Sequence, residues 1–100
     1  MNIRIETTDE RIRVAGEMTV YTAAELQPAL VAALSAAGNT AGLDLASVAE
    51  FDSAGLQLLL ASMRDATTKG ANLHIVAASG AVREVLELCQ RADLLTEVAT

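Results

Sequence analysis

The chain has 100 residues, of which 52% are apolar and 20% charged, and its formal net charge is −6 at pH 7. This length accommodates one hydrophobic core, so we expect a single domain over residues 1–100, and the apolar fraction excludes a disordered chain. Thirteen acidic residues against seven scattered basic ones argue against nucleic acid or an anionic membrane surface as a partner.

The chain begins with the pattern of a β-hairpin. Ile3 and Ile5 alternate with polar residues, and residues 11–14 repeat the alternation. This period of two is typical of strands with one buried face. Residues 7–10 (TTDE) have the composition of a tight turn. We therefore predict two antiparallel strands, the second of which ends at Gly16.

A helix and a buried strand are predicted next. Thr22 and Glu25 have the spacing of a capping box, and leucines follow every four residues. The predicted helix ends at Gly38, a favoured C-terminal residue, and Pro28 should bend its first turns. Residues 41–46 (AGLDLA) are typical of a short buried strand, which we expect to be central.

The second half continues the alternation of helix and strand. Residues 47–52 are predicted to form a loop. The apolar residues of 56–63 then fall at i, i+3, i+4 and i+7, which predicts an amphipathic helix ending near Gly70. Residues 73–76 form the next strand, and Ser79 opens a third helix.

The last part of the chain contains the single cysteine. Cys89 follows a run of apolar residues, which favours a small buried side chain over a reactive thiol. One cysteine excludes an intrachain disulfide and offers no metal-ligand spacing. Residues 94–98 form a final short segment of undetermined type.

These elements predict an α/β fold in the order ββαβαβα plus a tail. Strands that alternate with helices imply parallel crossovers, and the opening hairpin adds an antiparallel edge. We expect a small mixed sheet, mostly parallel, covered by three to four helices. The polar residues 1–10 do not resemble a signal peptide, and no segment approaches the roughly 20 apolar residues of a membrane helix. The expected location is the cytoplasm.

The stretch from Asp52 to Leu56 is the most informative one for function. If Asp52 caps the helix, the Ser53 hydroxyl is exposed at the first helical position, where backbone N–H groups attract anions. The small residues Ala54 and Gly55 should let another molecule approach the backbone. A phosphoryl group on Ser53 would add a charge of about −2 and block or reshape binding without unfolding the domain. The local pattern alone favours a plain helix cap, since Asp and Ser dominate such positions.

An enzymatic interpretation of these residues is disfavoured. Ser53 and His74 with an Asp would resemble a hydrolytic triad, but Phe51 stands where a nucleophile elbow needs glycine. His74 lies within a predicted strand, which is typical of a structural residue. Phosphate-binding loops, dinucleotide glycine patterns and metal-ligand clusters are not recognisable in the sequence. We predict no catalytic residues, no cofactor and no metal.

Four segments together resemble the STAS domain of bacterial anti-sigma-factor antagonists. Residues 43–46 (LDLA) and 52–56 (DSAGL) are similar to the family's strand and Asp-Ser-Ser-Gly-Leu signature, with the family's spacing between them. Residues 16–19 (GEMT) are similar to its Gly-Glu-Leu-Asp, and residues 79–86 (SGAVREVL) to its late helix. The resemblance covers nearly the whole chain.

The resemblance implies a phosphorylation-switched binding domain. In that family the unphosphorylated domain binds an anti-sigma factor that is also an ATP-dependent serine kinase, and so frees a sigma factor. Ser53 matches the phosphorylated serine, and Ala54 replaces a second serine found in many members. Thr19 replaces an Asp that engages the partner. The expected partner-binding residues are Asp52, Ala54, Gly55, Thr19 and Tyr21.

The resemblance leaves an alternative open. Residues 20–26 and 55–60 also look like STAS proteins encoded with chemotaxis-type histidine kinases, and other members are accessory subunits of lipid-transport ATPases. The alternative is therefore a non-switching interaction subunit of such a pathway or complex. In either role the chain is expected to bind a protein as a monomer or weak homodimer.

Overall fold

A computed structural model of the chain describes residues 3–8, 10–37, 40–96 and 98. Within these residues the elements are β1 (Ile3–Thr8), β2 (Arg11–Met18), α1 (Ala23–Ala37), β3 (Thr40–Phe51), α2 (Ser53–Thr68), β4 (Asn72–Ala78), α3 (Gly80–Leu88) and a short 3-10 helix (Ala92–Leu95). The predicted order of elements is confirmed.

The strands form one mixed sheet in the order β1-β2-β3-β4. β1 and β2 are antiparallel, and Thr8 lies opposite Arg11 across a two-residue connection. One of those two residues, Asp9, lies outside the described residues. β2 pairs with β3, and β3 with β4, in parallel. The sheet is thus mostly parallel with an antiparallel edge, as predicted.

One face of the sheet is buried beneath the helices. Along β2, Ile12 and Val14 are fully buried whereas Arg11 and Arg13 are exposed, which is the alternation of a strand with one covered face. α1 packs on β1 and β2, α2 packs on β4 and against α1, and α3 packs mainly on β3. The largest fully buried side chains are Ile12, Met18, Leu26, Leu30, Leu43, Leu45, Leu59, Ile75 and Leu86.

All four strands are longer than the sequence predicted: β1 includes Thr7 and Thr8 of the predicted turn, β4 spans Asn72–Ala78, and β2 and β3 are extended at their carboxyl ends. β2 does not end at Gly16 but continues to Met18, because Gly16 adopts φ 107° at an irregularity and the strand then resumes. β3 does not give way to a loop after Ala46 but runs to Phe51. Each extension supplies the other's pairing partners, from Ala15 opposite Ser47 to Met18 opposite Phe51.

The start of α1 differs from a capping box. The helix begins at Ala23, but the Thr22 hydroxyl accepts a hydrogen bond from the Thr19 N–H at 2.9 Å and donates to the Glu17 carbonyl at 2.9 Å. The Glu25 N–H instead reaches the Thr22 backbone carbonyl. The capping-box prediction was therefore wrong, because the Thr22 hydroxyl forms its hydrogen bonds with the residues that precede the helix and not with the first turn of α1. The predicted end at Gly38 lies outside the described residues.

The later helix ends depend on residues in or near the left-handed region. α2 ends at Thr68, followed by Lys69 as cap and by Gly70 with φ 77°, as predicted. α3 ends at Leu88 and Cys89 is its cap, followed by Gln90 with φ 59°. Cys89 is exposed, so the prediction of a buried side chain was wrong. Leu88, within the helix, is exposed as well, so the apolar run of residues 85–89 places only part of its side chains in the core.

Candidate functional site

The candidate site lies where β2 and β3 end side by side. Met18 and Phe51 are register partners at the carboxyl ends of these parallel strands, so the segments that follow them meet at one edge of the sheet. The Asp52 N–H donates to the Met18 carbonyl at 3.3 Å. The turn after β2, residues 19–22, is thereby held next to the first turn of α2.

The Asp52 carboxylate links these two segments. One oxygen, Oδ1, accepts from the Gly55 N–H at 3.1 Å, which makes Asp52 the N-cap of α2 as predicted. The other oxygen, Oδ2, accepts from the Val20 N–H at 3.0 Å. A single side chain therefore satisfies a helix-start donor and fixes the neighbouring turn in place.

Gly55 makes the close packing of α2 on β2 feasible. It is buried, and a Cβ there would lie 2.2 Å from the Met18 carbonyl oxygen and 3.1 Å from Cδ1 of Phe51. We expected Gly55 to let another molecule approach the backbone. The structure corrects this interpretation, because the space left by the missing Cβ is filled by the chain's own β2.

The turn of residues 19–22 is stabilised from within by its two threonines. Thr19 and Thr22 are both buried, and the Thr19 hydroxyl accepts from the Tyr21 N–H at 3.3 Å. The Thr19 side chain, expected to tune partner choice, therefore lies beneath the surface. We therefore expect Thr19 to affect partner binding by fixing the conformation of the turn and not by direct contact.

Three exposed residues and one half-buried residue form a surface that we call the Ser53 face, consisting of Val20, Tyr21, Ser53 and Ala54. Tyr21 is 87% and Val20 64% exposed. Ser53 is exposed and Ala54 half-buried. Sequence reasoning missed Val20, because an apolar residue that precedes a helix is more often buried than exposed. The adjacent Tyr21, in the segment between β2 and α1, was the sequence feature that could have indicated an exposed apolar surface here.

A shallow groove between α1 and α2 extends the Ser53 face. Its volume is about 280 Å³, and Ala54 lies in its wall. The remaining wall residues are Ala23, Ala24, Gln27, Gln57, Leu58 and Ala61. Four of these seven side chains are alanines, two on each helix, so the groove can admit an apolar side chain of another protein.

The electrostatics of Ser53 combine two opposing effects. Its hydroxyl is at the first position of a 16-residue helix, where the helix dipole favours negative charge. The Asp52 carboxylate is the neighbouring side chain and repels an added anion. Asp52 is already engaged through both oxygens, so a phosphoryl group on Ser53 would add charge to the surface without replacing the cap.

The structure does not bring Ser53 and His74 together. His74 lies on β4 opposite Gly42, near the start of β3, whereas Ser53 follows the end of that strand. Gly42 and Phe51 are nine residues apart, which corresponds to roughly 30 Å along a strand. The hydrolytic triad considered from the sequence is therefore not formed.

Two further properties concern only the described residues. Among them, His, Cys, Asp and Glu side chains form no group of three or more that could hold a metal ion. None of the helices in these ranges combines the length and apolar character that crossing a bilayer requires.

Comparison with known proteins gives consistent matches in sequence. Residues 1–96 match a family model described as "Mlab, STAS domain". The anti-sigma-B factor antagonist of Staphylococcus epidermidis is 29% identical over 99 residues, which cover 95% of this chain and 92% of that protein.

Solved structures with the same fold span most of the chain. An anti-sigma factor antagonist from Mycobacterium paratuberculosis has a TM-score of 0.73 at 26% identity, over 92% of this chain and 80% of that one. Unphosphorylated SpoIIAA, an anti-sigma factor antagonist, has a TM-score of 0.73 at 20% identity, covering 99% and 89%. Bacillus SpoIIAA has also been solved in its phosphorylated form, with a TM-score of 0.66 at 20% identity, covering 99% and 92%.

Proposed function

The chain belongs to the STAS domain family, and on that premise we propose that it is a signalling domain of the anti-sigma-factor-antagonist type, switched by phosphorylation of Ser53. Its partner is an anti-sigma factor that is also a serine kinase. The observation that carries the proposal is an exposed Ser53 hydroxyl beside the exposed Val20 and Tyr21, on a surface that Asp52 holds in shape.

The unphosphorylated Ser53 face has the composition of a protein-binding surface. Tyr21 and Val20 expose apolar area that a partner can bury, and aromatic side chains commonly dominate the binding energy of interfaces. The Asp52 bridge holds the turn before a partner arrives, so little conformational entropy is lost on binding. The surface is therefore ready to bind when Ser53 carries no phosphate.

Phosphorylation opposes that binding through charge. A phosphoryl group adds about −2 at neutral pH to a chain whose formal net charge is already −6. Covering it with a partner requires its removal from water, which costs free energy unless the partner supplies cations. The fold itself is unaffected, because Ser53 is exposed and the cap of α2 is made by Asp52.

The chain in this proposal is a kinase substrate and a ligand and performs no catalysis. Its acidic character suits a partner with a basic surface, which would also speed their encounter. A regulator of sigma factors acts where RNA polymerase is, so the proposal places the chain in the cytoplasm.

Intact-mass measurement tests whether Ser53 is phosphorylated, and partner-binding measurements test the effect of the added charge. The chain is incubated with the candidate kinase and ATP, and intact mass should show one added phosphoryl group that disappears in Ser53→Ala. Ser53→Asp should weaken partner binding at least tenfold and keep the wild-type thermal melt. Ser35→Asp, at an exposed position of α1, adds the same charge elsewhere and should bind like wild type. Equal losses in both Asp variants, or unfolding of Ser53→Asp, would contradict the proposal.

A second candidate function is the non-switching interaction subunit, of a chemotaxis-type histidine kinase pathway or a lipid-transport ATPase complex. The exposed Val20 and Tyr21 favour it, since an apolar contact of this kind needs no phosphate. Tyr21→Ala weakens binding in both cases. Only the second candidate predicts that no cognate kinase adds mass and that Ser53→Asp binds its partner normally.

A further inference from the structure

The outer edge of β1 has no paired strand among the described residues. Of the strands that the structure describes, β1 is the terminal one, and β2 alone lies beside it. Its side chains Ile3 and Ile5 face the core but remain half-buried. An edge of this kind presents unpaired backbone groups together with uncovered apolar surface, and is a template for pairing with another strand.

The register of the hairpin identifies which backbone groups face outward. Thr8 and Arg11 are partners across a two-residue connection, so they form a hydrogen-bonded pair. In an antiparallel ladder such pairs recur at every second residue, which directs the backbone groups of residues 4, 6 and 8 toward β2. The N–H and C=O groups of Ile3, Ile5 and Thr7 therefore point to the free edge.

The charges on β1 favour one way of pairing with a second copy. Arg4 and Glu6 are exposed on the outer face of the sheet, two residues apart and of opposite sign. Antiparallel pairing centred on Ile5 places Arg4 opposite the partner's Glu6, and Glu6 opposite the partner's Arg4. Pairing centred on Arg4 or on Glu6 would place like charges directly opposite each other, which is destabilising.

The same register satisfies the backbone and the core. Hydrogen-bonded pairs form between the two Ile5 residues and between Ile3 and Thr7 in both directions. Arg4 and Glu6 then occupy the non-hydrogen-bonded pairs, whose side chains are closest together. The two Ile5 side chains meet on the buried face, where each is only half covered in the single chain.

We infer that β1 is a self-association edge, at which two copies pair in antiparallel about Ile5 to form one continuous eight-stranded sheet. Charges of one sign on β1 would repel a second copy in such an antiparallel pair, whereas Arg4 and Glu6 favour the register in which each faces the opposite charge of the partner. Six-residue strands bury a small interface, so the dimer belongs to the weak, concentration-dependent class.

Charge-reversal variants test this register. Sedimentation of the wild type up to about 1 mM should show a reversible monomer–dimer equilibrium. Arg4→Glu and Glu6→Arg should each raise the dissociation constant about tenfold or more, because both cross-strand pairs become repulsive. An equimolar mixture of the two variants restores both pairs and should form a heterodimer with near-wild-type affinity.

Two features of the design separate this dimer from other effects. Glu6 also lies 3.7 Å from Arg13 in its own chain, and Glu6→Arg loses this contact. The contact is lost both when the variant is measured by itself and when it is mixed with Arg4→Glu. Recovery of affinity on mixing therefore reports only the Arg4–Glu6 pairs between the two chains. Thr7→Pro removes an outward N–H and no bond to β2, and should abolish the dimer while keeping the fold.

Amide hydrogen exchange locates the interface independently of any variant. At high concentration the amides of Ile3, Ile5 and Thr7 should become protected while that of Arg4 changes little. A wild type that stays monomeric at 1 mM overturns the inference, as does a dimer that neither charge variant weakens or a mixture that fails to recover. Ser53 variants leave β1 unchanged, so the phosphorylation switch succeeds or fails separately.

Discussion

Gly55 provides the sharpest test of how the site is built. Replacing it with alanine adds one methyl group in the first turn of α2. That methyl group would lie 2.2 Å from the Met18 carbonyl oxygen and 3.0 Å from its carbon. Both atoms belong to the backbone of β2 and cannot turn away as a side chain does. Either the start of α2 or the end of β2 must therefore move.

The expected cost follows from what that movement breaks. Overpacking of this kind costs about 1–3 kcal/mol. Separation of β2 from α2 also weakens the hydrogen bonds from Asp52 to Met18 and from Val20 to Asp52, each worth roughly 0.5–1.5 kcal/mol. Alanine recovers about 1 kcal/mol of helix propensity. We expect Gly55→Ala to lower the free energy of unfolding by about 3 kcal/mol, which leaves a chain of this size folded but less stable.

Urea unfolding followed by circular dichroism measures this change. Gly80→Ala is the matched control, because Gly80 also lies in the first turn of a helix but a Cβ there has no heavy atom within 4 Å. It should change the free energy of unfolding by less than about 1 kcal/mol. Gly55→Ala that is as stable as Gly80→Ala would refute the packing of α2 on Met18.

Three further predictions use the same measurements or a titration. Asp52→Ala removes the acceptor of two backbone N–H groups and should cost about 2 kcal/mol, whereas Asp52→Asn, which keeps one acceptor oxygen, should cost less; equal losses would contradict the two-oxygen bridge. Leu59→Ala, at a fully buried position, should cost about 3 kcal/mol, and Leu88→Ala, 78% exposed, less than about 0.5 kcal/mol. The hydrogen bond and charge of Arg91 lower the pKa of Asp93, so the stability from this pair is present at neutral pH and is lost as pH falls through that lowered pKa. Arg91→Ala should raise the pKa of Asp93 toward its usual range, measured by NMR titration of the carboxyl group, and an unmoved midpoint would exclude the interaction.

The order and type of the elements could be predicted because they depend on local periodicity. Ile12 and Val14 alternate with arginines as a strand requires, and Leu56, Leu59 and Met63 recur with the period of a helix. Helix ends were predictable where one residue suffices, as with the Asp52 cap and Gly70. The Ser53 hydroxyl could be placed at the start of α2 for the same reason.

Strand lengths and burial could not be predicted in this way. β2 passes Gly16 and β3 passes Ala46 because each strand finds its hydrogen-bonding partners on the other, far away in sequence. Thr22 has the spacing of a capping residue, yet its hydroxyl bonds to the preceding turn. Cys89 continues an apolar run, but the core covers Leu86 and leaves both Leu88 and Cys89 exposed.

The sequence by itself thus determined an α/β domain with a capped, serine-bearing helix start. Only the tertiary structure decided what surrounds that serine. The Asp52 carboxylate also accepts from the Val20 N–H, and Gly55 packs so closely on the Met18 carbonyl that it leaves no space for a side chain. The physical reason is that these contacts join the ends of two parallel strands. Parallel strands lie side by side only once a helix has connected them, so their contacts have no local signature in the chain.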